Sequence, residues 1–389
     1  MNVRELIADH GSPLWLADAD LFSANLRAFE SVWKGHWPQS RIAYSYKTNR
    51  LAWFLHRVER AGGSAEVVCL AEYELARRVV ADPTRIVVDG PAKPEPLLTR
   101  AGADGALVIA DSLAELERAA AAGVRRVGLR VAVNSFTGTP SRFGIPPAEI
   151  LAAARAAAAL GLSVRALSVH LVSTDFEATS GRVVVSWPRA PDEHAAAAAL
   201  LARLASQLGL ESHAIDEIDL GGGLPAASAC AGHARAVTRA LRDHGFSGGL
   251  LLEPGRAVAA DAVDLALSVV AIKSLACGAR CVICDAGTNF LPGALTGPPR
   301  LDVPGRRGPR SPALVTGPLC LNADVVHPCA QLPALEPGDL LLARAVGAYQ
   351  QSASTEFGEA RPRVLVSERG TWRPADDLHH RRQVERQAA

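Results

Sequence analysis

The sequence predicts a (β/α)8 barrel of the α/β class, followed by a smaller all-β domain. Up to about residue 255, eight short apolar runs alternate with helical segments rich in Ala, Leu, Glu and Arg. After Arg256 helical periodicity is lost and Pro and Gly become frequent, as is typical of β structure. The eight runs predicted to be barrel strands are 41–47, 65–69, 85–89, 106–110, 127–133, 164–172, 216–220 and 249–253.

The length of the chain and the change in residue pattern after Arg256 indicate the domain boundaries. A chain of 389 residues has room for a large barrel and a second domain. We expect the barrel at 20–258, and a β-barrel or β-sandwich domain formed by 259–375 together with the N-terminal strand in 1–19. Within it, the Pro- and Gly-rich stretch 291–312 reads as a loop. The charged end, 376–389, is expected to be disordered.

The composition argues against several classes of partner. The 41 basic and 40 acidic side chains nearly balance, so nothing indicates a nucleic-acid partner or an acidic membrane surface. The N-terminus lacks the basic and apolar regions of a signal peptide, and no uninterrupted apolar run reaches the length of a membrane helix. These features predict a cytoplasmic protein.

Seven cysteines are few for this length, which favours reduced thiols. The spacing of Cys277, Cys281 and Cys284 invites a zinc interpretation, but Cys281 and Cys284 lie in an apolar run that reads as a buried strand. Alternate side chains of a strand face opposite ways, and no fourth ligand stands nearby. We therefore predict no metal site.

Lys47 is the first candidate for chemistry. It closes the β-prone run 41–46, where a buried amine is costly unless it reaches solvent or holds something. Burial lowers the pKa of a lysine, which suits an amine that attacks a carbonyl and forms a Schiff base. Taken alone, Lys47 reads as a lysine that extends to solvent.

Further motifs follow Lys47 in a fixed order. They are His170-Leu171-Val172-Ser173, Gly221-Gly222-Gly223, Glu253-Pro254-Gly255-Arg256, Gly317-Pro318-Leu319-Cys320 and Gly347-Ala348-Tyr349. In this order and spacing, from about residue 12 to about residue 366, the chain resembles the fold-type III decarboxylases that use pyridoxal 5'-phosphate (PLP). That family includes diaminopimelate, ornithine and arginine decarboxylases.

The resemblance implies a role for each motif. Lys47 would hold PLP as a Schiff base, Glu253 would bind the pyridine nitrogen and make the ring a strong electron sink, and His170 would stack on the ring. The loops after the seventh and eighth barrel strands would bind the phosphate, as such loops commonly do. The other positions that it places at the cofactor are Ser173, Gly221, Gly222, Gly223, Gly255, Arg256 and Tyr349.

The resemblance also implies a homodimer with shared active sites. Cys320 matches a cysteine that is contributed across the dimer interface and either protonates the carbanion left after loss of carbon dioxide or positions the substrate. Asp285 matches an acid near the substrate, and Leu321 and Asp324 follow Cys320 in the same region.

The departures from the family pattern concern the distal part of the substrate. Leu321 stands where an acidic residue usually holds the distal amine, and no Arg follows Asp285-Ala286-Gly287 to hold a distal carboxylate. We therefore expect decarboxylation of an amino acid or a conjugate other than diaminopimelate, such as a siderophore or other secondary-metabolite intermediate, which could be carrier-bound. An Arg-rich loop could hold an anionic distal part, although solvated loop charge is the plainer interpretation; it contains Arg300, Arg306, Arg307 and Arg310.

Three alternatives stay open. An amino-acid racemase could use the same barrel, but racemases oppose the pyridine nitrogen with Arg, whereas this chain has Glu253. Diaminopimelate decarboxylase is the second alternative. The third is a non-catalytic cofactor-binding homologue, and such proteins tend to lose the Lys or the Cys that are both present in this chain.

Overall fold

The computed structural model describes residues 3–177 and 182–376. The chain divides into two compact units. The barrel unit comprises residues 25–47 and 55–257, and the β unit comprises 1–24, 48–54 and 258–389.

Strands and helices alternate through most of the barrel unit, whereas strands predominate in the β unit. The strands are β1 (Leu14–Asp18), β2 (Ser40–Ser45), β3 (Ser64–Val67), β4 (Ile86–Val88), β5 (Leu107–Ala110), β6 (Arg126–Arg130), β7 (Ser163–Ser168), β8 (Thr174–Glu177), β9 (Arg182–Val185), β10 (Glu217–Asp219), β11 (Gly249–Leu252), β12 (Val263–Ser274), β13 (Arg280–Cys284), β14 (Arg300–Asp302), β15 (Ser311–Thr316), β16 (Val325–Leu332), β17 (Leu340–Arg344), β18 (Arg363–Glu368) and β19 (Thr371–Pro374). The helices are α1 (Val3–His10), α2 (Ala19–His36), α3 (Ala52–Arg60), α4 (Leu70–Val79), α5 (Glu95–Asp104), α6 (Leu113–Ala121), α7 (Ile150–Ala159), α8 (Pro191–Leu210), α9 (Ala227–Asp243), α10 (Arg256–Ala259) and α11 (Gln350–Ala353).

The barrel unit is built on a closed barrel of parallel strands. The order around it is β2-β3-β4-β5-β6-β7-β10-β11, and β11 pairs with β2 to close it. Each strand overlaps one of the eight apolar runs, so the predicted (β/α)8 barrel is confirmed. A layer of small and branched side chains fills the interior, as expected of a packed core rather than a pore; it contains Ala43, Val87, Leu107, Ile109, Ala166 and Leu251.

The β unit contains a mixed sheet in the order β16-β15-β13-β12-β1-β18-β19, with β17 pairing to both β12 and β14. Its N-terminal strand β1 lies in the sheet interior, where Leu14 pairs with Ala266 on one side and Arg363 on the other. The expectation that the N-terminal strand joins the all-β domain is therefore confirmed. Leu6, Leu14, Leu342 and Leu365 form part of its apolar core.

Three features differ from the sequence-based expectations or fall outside the described residues. The stretch 291–312 is not wholly loop, because β14 pairs with β17 and buries Leu301. The hairpin of β8 and β9, which follows the sixth barrel strand, was not anticipated. The predicted disorder of the tail concerns residues that, from 377 onward, lie outside the described part of the chain.

Within the residues described, no helix combines the length and apolar character needed to cross a membrane.

Candidate active site at the carboxyl ends of the barrel strands

Lys47 follows β2 by two residues, and its amine is held by a carboxylate. Its Nζ lies 2.7 Å from both Oε1 and Oε2 of Glu66 on β3. Glu66 is fully buried, whereas about a third (32%) of the Lys47 side chain is exposed. Burial raises the pKa of Glu66, and the Lys47 charge opposes that rise. Glu66 therefore holds the Lys47 amine in one orientation at the opening of the barrel.

Three buried carboxylates converge beside Lys47. Oxygen atoms of Glu66, Asp89 and Glu253 all lie within 4.8 Å of one another. Arg130, at the end of β6, is buried, and its Nη1 lies 3.6 Å from Asp89 Oδ1. Burial disfavours the ionised Asp89, but the charges of Arg130 and Lys47 outweigh it and hold the pKa of Asp89 below its ordinary value. The opening thus concentrates charge in a site shielded from water.

Glu253 directly follows β11 and is only 2% exposed. Among the described residues, its Oε1 has no hydrogen-bond partner. Burial and the nearby Asp89 raise the pKa of Glu253 to about 7. A buried carboxylate oxygen without a donor is costly, so this position suits a ligand that presents an N–H group. The pyridine nitrogen of PLP, when protonated, is such a group.

His170 is neutral in this environment. The Gly222 N–H donates to His170 Nδ1 at 3.2 Å, which assigns the ring proton to Nε2. Burial and the nearby Arg130 lower the pKa of His170 to about 4. Its Nδ1 lies 3.9 Å from Glu253 Oε2. An uncharged, flat ring at this place is able to pack against a planar cofactor.

The triple glycine allows close packing at the end of the seventh strand. Gly221 has φ +61°, and a Cβ there would come within 2.6 Å of His170 Nδ1. A Cβ on Gly222 would lie 3.1 Å from the carbonyl oxygen of Glu253. The amides of Gly221 and Gly222 already donate to Asp219 and His170, so phosphate binding by this loop, including Gly223, stays a prediction.

The remaining barrel candidates lie at the same end of the strands. Arg256 begins α10 directly after the Glu253-Pro254-Gly255 turn, with its guanidinium carbon 5.3 Å from the centre of the Trp187 ring. The Ser173 carbonyl accepts from the Ser186 amide at the base of the hairpin. Their predicted contacts with phosphate stay predictions.

In the β unit, Cys320 and Leu321 are exposed, and Asp324 holds their loop in place. Leu321 is 50% exposed. Asp324 is buried, its Oδ1 accepts from the amide and hydroxyl of Thr288, and its Oδ2 accepts from the Leu319 amide. Both oxygens of Asp324 are thus occupied within the β unit, which supports a structural role more than the predicted substrate contact.

Asp285 and Tyr349 are also fixed by the backbone of the β unit. Asp285 Oδ1 accepts from the Ser268 amide at 2.8 Å, and burial raises the pKa of Asp285. Tyr349 has φ +67°, and its amide donates to the carbonyl of Thr48 at 2.8 Å. Gly347 is required beside it, because a Cβ there would lie 1.9 Å from the Ala259 carbonyl.

Sequence reasoning gave no role to several buried charged residues at the barrel opening, among them Asp89, Arg130 and Asp219. A signal for them was available, because Arg130 and Asp219 are the last residues of β6 and β10, and Asp89 directly follows β4. Charged side chains at the carboxyl ends of barrel strands are typical of an active site.

Comparison with known proteins identifies the family. The family model for the pyridoxal-binding domain of pyridoxal-dependent decarboxylases matches residues 23–260. The chain belongs to the pyridoxal-dependent decarboxylase family. The expected family and cofactor are therefore confirmed, and this protein is a PLP-dependent amino-acid decarboxylase.

The relatives of this decarboxylase are named for two different substrates, diaminopimelate and ornithine. Diaminopimelate decarboxylase of Helicobacter pylori is 26% identical, covering 94% of this chain and 92% of that protein. The chloroplastic ornithine decarboxylase of Nicotiana glutinosa is also 26% identical, over 94% of this chain and 86% of its own. Diaminopimelate decarboxylase of Deinococcus radiodurans is 29% identical, over 91% and 89%.

Solved structures agree on the fold. The crystal structure of H. pylori diaminopimelate decarboxylase complexed with L-lysine has a TM-score of 0.84 at 24% identity, covering 99% of this chain and 100% of that one. The lysine/ornithine decarboxylase of Vibrio vulnificus complexed with putrescine has a TM-score of 0.81 at 22% identity, covering 94% and 97%.

Proposed function

We propose that this decarboxylase removes the α-carboxylate of an amino acid that lacks a free distal ammonium group, such as an amino-acid conjugate in the synthesis of a siderophore or another secondary metabolite. The observation that carries the proposal is Leu321, an exposed apolar side chain next to Cys320. A distal ammonium that loses water beside Leu321 gains no partner from that side chain, which costs several kcal/mol. The ordinary amino-acid substrates named for the relatives would then be poor ones.

The barrel residues at the cofactor site would each have a different role. PLP, when bound, supplies an electron sink that draws the electrons left by the departing carboxylate. Lys47 would hold the cofactor through its amine, and Glu66, at 2.7 Å, orients that amine and keeps its charge balanced. Glu253 would accept the N–H of the pyridine ring with its unpartnered oxygen. A carboxylate there keeps that nitrogen protonated.

The neighbouring groups would bind and shield the cofactor. The neutral His170 ring offers a flat surface that does not repel a protonated pyridine. Arg256 would bind the phosphate, together with Ser173, Tyr349 and two loops, one with Gly221, Gly222 and Gly223 and the other with Gly255. Glu66, Asp89 and Glu253 are buried, so their electrostatic contacts are stronger than they would be in solution.

Cys320 would act in an active site shared between two subunits of a homodimer. Its thiol would hold or deliver a proton at the α-carbon after carbon dioxide has left. Cys320 lies in the β unit, where it is exposed together with Leu295, Leu321 and Phe357. The side-chain Nδ2 of Asn289 donates to the Phe357 carbonyl at 3.3 Å and so joins the segment that precedes Leu295 to the loop that bears Phe357. An exposed apolar region of this kind favours an interface.

The Arg-rich loop gives less support to an anionic distal group. Arg306 pairs with Asp339 and Glu336, and Arg300 pairs with Asp302. Arg310 donates to the carbonyl of Gln331. Since these guanidinium groups already have partners in the β unit, a neutral distal part is the better fit.

The experiment compares kcat/KM, measured by carbon dioxide release, for free diaminopimelate, ornithine, lysine and a citryl-diamino-acid conjugate. The conjugate should be used best. Leu321→Glu should raise kcat/KM for ornithine and lysine by about tenfold or more. Leu321→Gln, which has the same size without the charge, should leave these values unchanged. Efficient turnover of diaminopimelate by the unaltered protein, at about 10⁴ M⁻¹s⁻¹ or above, would overturn the proposal and favour diaminopimelate decarboxylase.

A further inference from the structure

Trp187 is a half-buried aromatic side chain that the proposed roles above leave unused. It lies in the short segment between β9 and α8, within the barrel unit. Its indole Nε1 donates to the Leu224 carbonyl at 3.2 Å, and the guanidinium carbon of Arg256 lies over its ring, 5.3 Å from the centre. One side chain thus contacts both loops that are expected to bind the phosphate, namely the loop after β10 and the loop after β11.

The contact with Arg256 is a cation–π interaction. A guanidinium within about 6 Å of an indole ring is attracted to the negative face of that ring, and Trp attracts it more strongly than Tyr or Phe. The long Arg side chain has many rotamers in water, and packing against a flat ring limits them. A guanidinium that stacks by its face can still donate N–H bonds in its own plane, as recognition of a phosphate requires.

The contact with Leu224 continues a row of contacts along the glycine loop. The Arg189 amide donates to the Gly223 carbonyl at 3.1 Å, one residue before the carbonyl that Trp187 holds. The peptide bond between Gly223 and Leu224 is trans, so the Leu224 N–H points away from the Gly223 carbonyl and from Arg189. Leu224 is buried, and no described residue accepts a hydrogen bond from this N–H. A buried donor of this kind favours an anionic ligand on the far side of the loop.

We propose that Trp187 is a positioning residue for the cofactor phosphate. Its ring face holds the guanidinium of Arg256, and its N–H holds the loop after β10 through the carbonyl of Leu224. The inference rests on the proposed role of Arg256 at the phosphate, and it goes further because Trp187 acts through Arg256 and the loop. Since Trp187 makes two separate contacts, substitutions that remove one or both of them have different effects.

The test measures the dissociation constants of PLP and of pyridoxal, which lacks the phosphate, by titrating the cofactor-free protein and following its absorbance. The preference for PLP is the dissociation constant of pyridoxal divided by that of PLP. Trp187→Leu removes the ring face and the N–H, and it should lower this preference about tenfold. Trp187→Phe keeps an aromatic face without the N–H, and it should lower the preference about threefold. Binding of pyridoxal should stay within about twofold in both variants, because the contacts that they remove serve the phosphate.

A double-mutant cycle tests whether the ring acts through Arg256. Arg256→Ala alone should lower the preference for PLP by about 10²-fold. In that background Trp187→Leu and Trp187→Phe should bind PLP equally, because both lack the N–H and the guanidinium that would distinguish them is gone. A difference that remains between them would show that the ring face does not act through Arg256, and it would overturn the proposal.

Trp37 provides the matched control. Its Nε1 donates to the Gly248 carbonyl at 3.0 Å, and the guanidinium carbon of Arg242 lies 5.5 Å from the centre of its ring. Trp37 and Gly248 precede β2 and β11, so the same two kinds of contact occur at the opposite, amino-terminal end of the strands. Trp37→Leu should leave the preference for PLP unchanged, even where it lowers the free energy of unfolding.

The remaining outcomes decide against the proposal in different ways. Equal losses of PLP and pyridoxal binding in Trp187→Leu would make Trp187 a packing residue only. A lowered preference for PLP in Arg256→Ala, with no change in either Trp187 variant, would overturn this inference and leave the proposed role of Arg256 in place. An Arg256→Ala protein that keeps the full preference for PLP would overturn that role and this inference with it.

Discussion

Lys47 and Glu66 form a two-point contact in which Nζ lies 2.7 Å from each carboxylate oxygen. Glu66 is fully buried, so the carboxylate has no water to replace the amine. This pair fixes the direction of Lys47 before any cofactor arrives.

The first prediction concerns that contact. Glu66→Gln keeps the size of the side chain but removes its charge, so the amine is held less firmly and the rate of PLP incorporation should fall by about tenfold. Glu66→Asp, which keeps the charge, should stay within a fewfold of the unaltered protein. The measurement is the growth of cofactor absorbance after PLP is added to the cofactor-free protein. Equal rates of PLP incorporation in Glu66→Gln and the unaltered protein would contradict a role for the ion pair.

The second prediction concerns the electron sink. Glu253→Gln should lower kcat by about 10²-fold or more, equivalent to about 3 kcal/mol of transition-state stabilisation, and should weaken PLP binding far less. The reason is that a neutral amide cannot keep the pyridine nitrogen protonated. Steady-state kinetics and a PLP titration measure the two effects separately. An unchanged kcat would place Glu253 away from the ring nitrogen.

The third prediction concerns the shared site. Lys47→Ala and Cys320→Ala are each expected to inactivate the enzyme. If each site combines Lys47 from one subunit with Cys320 from the other, random pairing of the two variants should restore about a quarter of the sites. Activity is read after mixing, with subunit exchange verified by mass labels. Persistent inactivity despite proven exchange would show that one chain forms the whole site.

The fourth prediction concerns acid stability. Burial lowers the pKa of both His170 and His194 to about 4, below the ordinary value of about 6.5 in an unfolded chain. The unfolded state therefore binds more protons between these pH values, and the free energy of unfolding falls as the pH drops from about 6.5 to about 4. Each histidine contributes at most about 3 kcal/mol to this fall.

The test of acid stability compares variants, because the raised pKa values of Asp219 and Glu253 act in the opposite direction over part of this range. His194→Gln should lose less stability than the unaltered protein between pH about 6.5 and about 4, as measured by urea unfolding. His244→Gln replaces an exposed histidine and serves as the matched control. Equal losses in His194→Gln and the unaltered protein would contradict a neutral, buried His194.

The sequence was sufficient for the fold because the barrel depends on local patterns. Each barrel strand is a short apolar run between helical segments, and such runs can be read without knowing their partners. It was less informative for β14, since three residues in a Pro- and Gly-rich stretch become a strand only through pairing with β17. The hairpin of β8 and β9 escaped notice for a similar reason, because its residues directly follow the predicted sixth strand and read as part of a long connection.

The candidate site was predictable only where a motif marked it. Lys47, His170 and Glu253 stand in recognisable motifs at strand ends, and the structure brings them to one end of the barrel. Asp89 and Arg130 have no such motif, and their importance arises from burial and from the 3.6 Å contact between strands that are distant in sequence. The occupied oxygens of Asp324 could not be foreseen either, because they depend on the fold of neighbouring loops.

The central claim is that Lys47 carries PLP. The purified protein should absorb in the near ultraviolet and visible range, and borohydride should abolish that band and leave the reduced cofactor on the peptide that contains Lys47. Lys93, which is fully buried against Glu115, is the internal control and should stay unlabelled. A protein that remains colourless after PLP is added, or a label found on another lysine, would contradict the account.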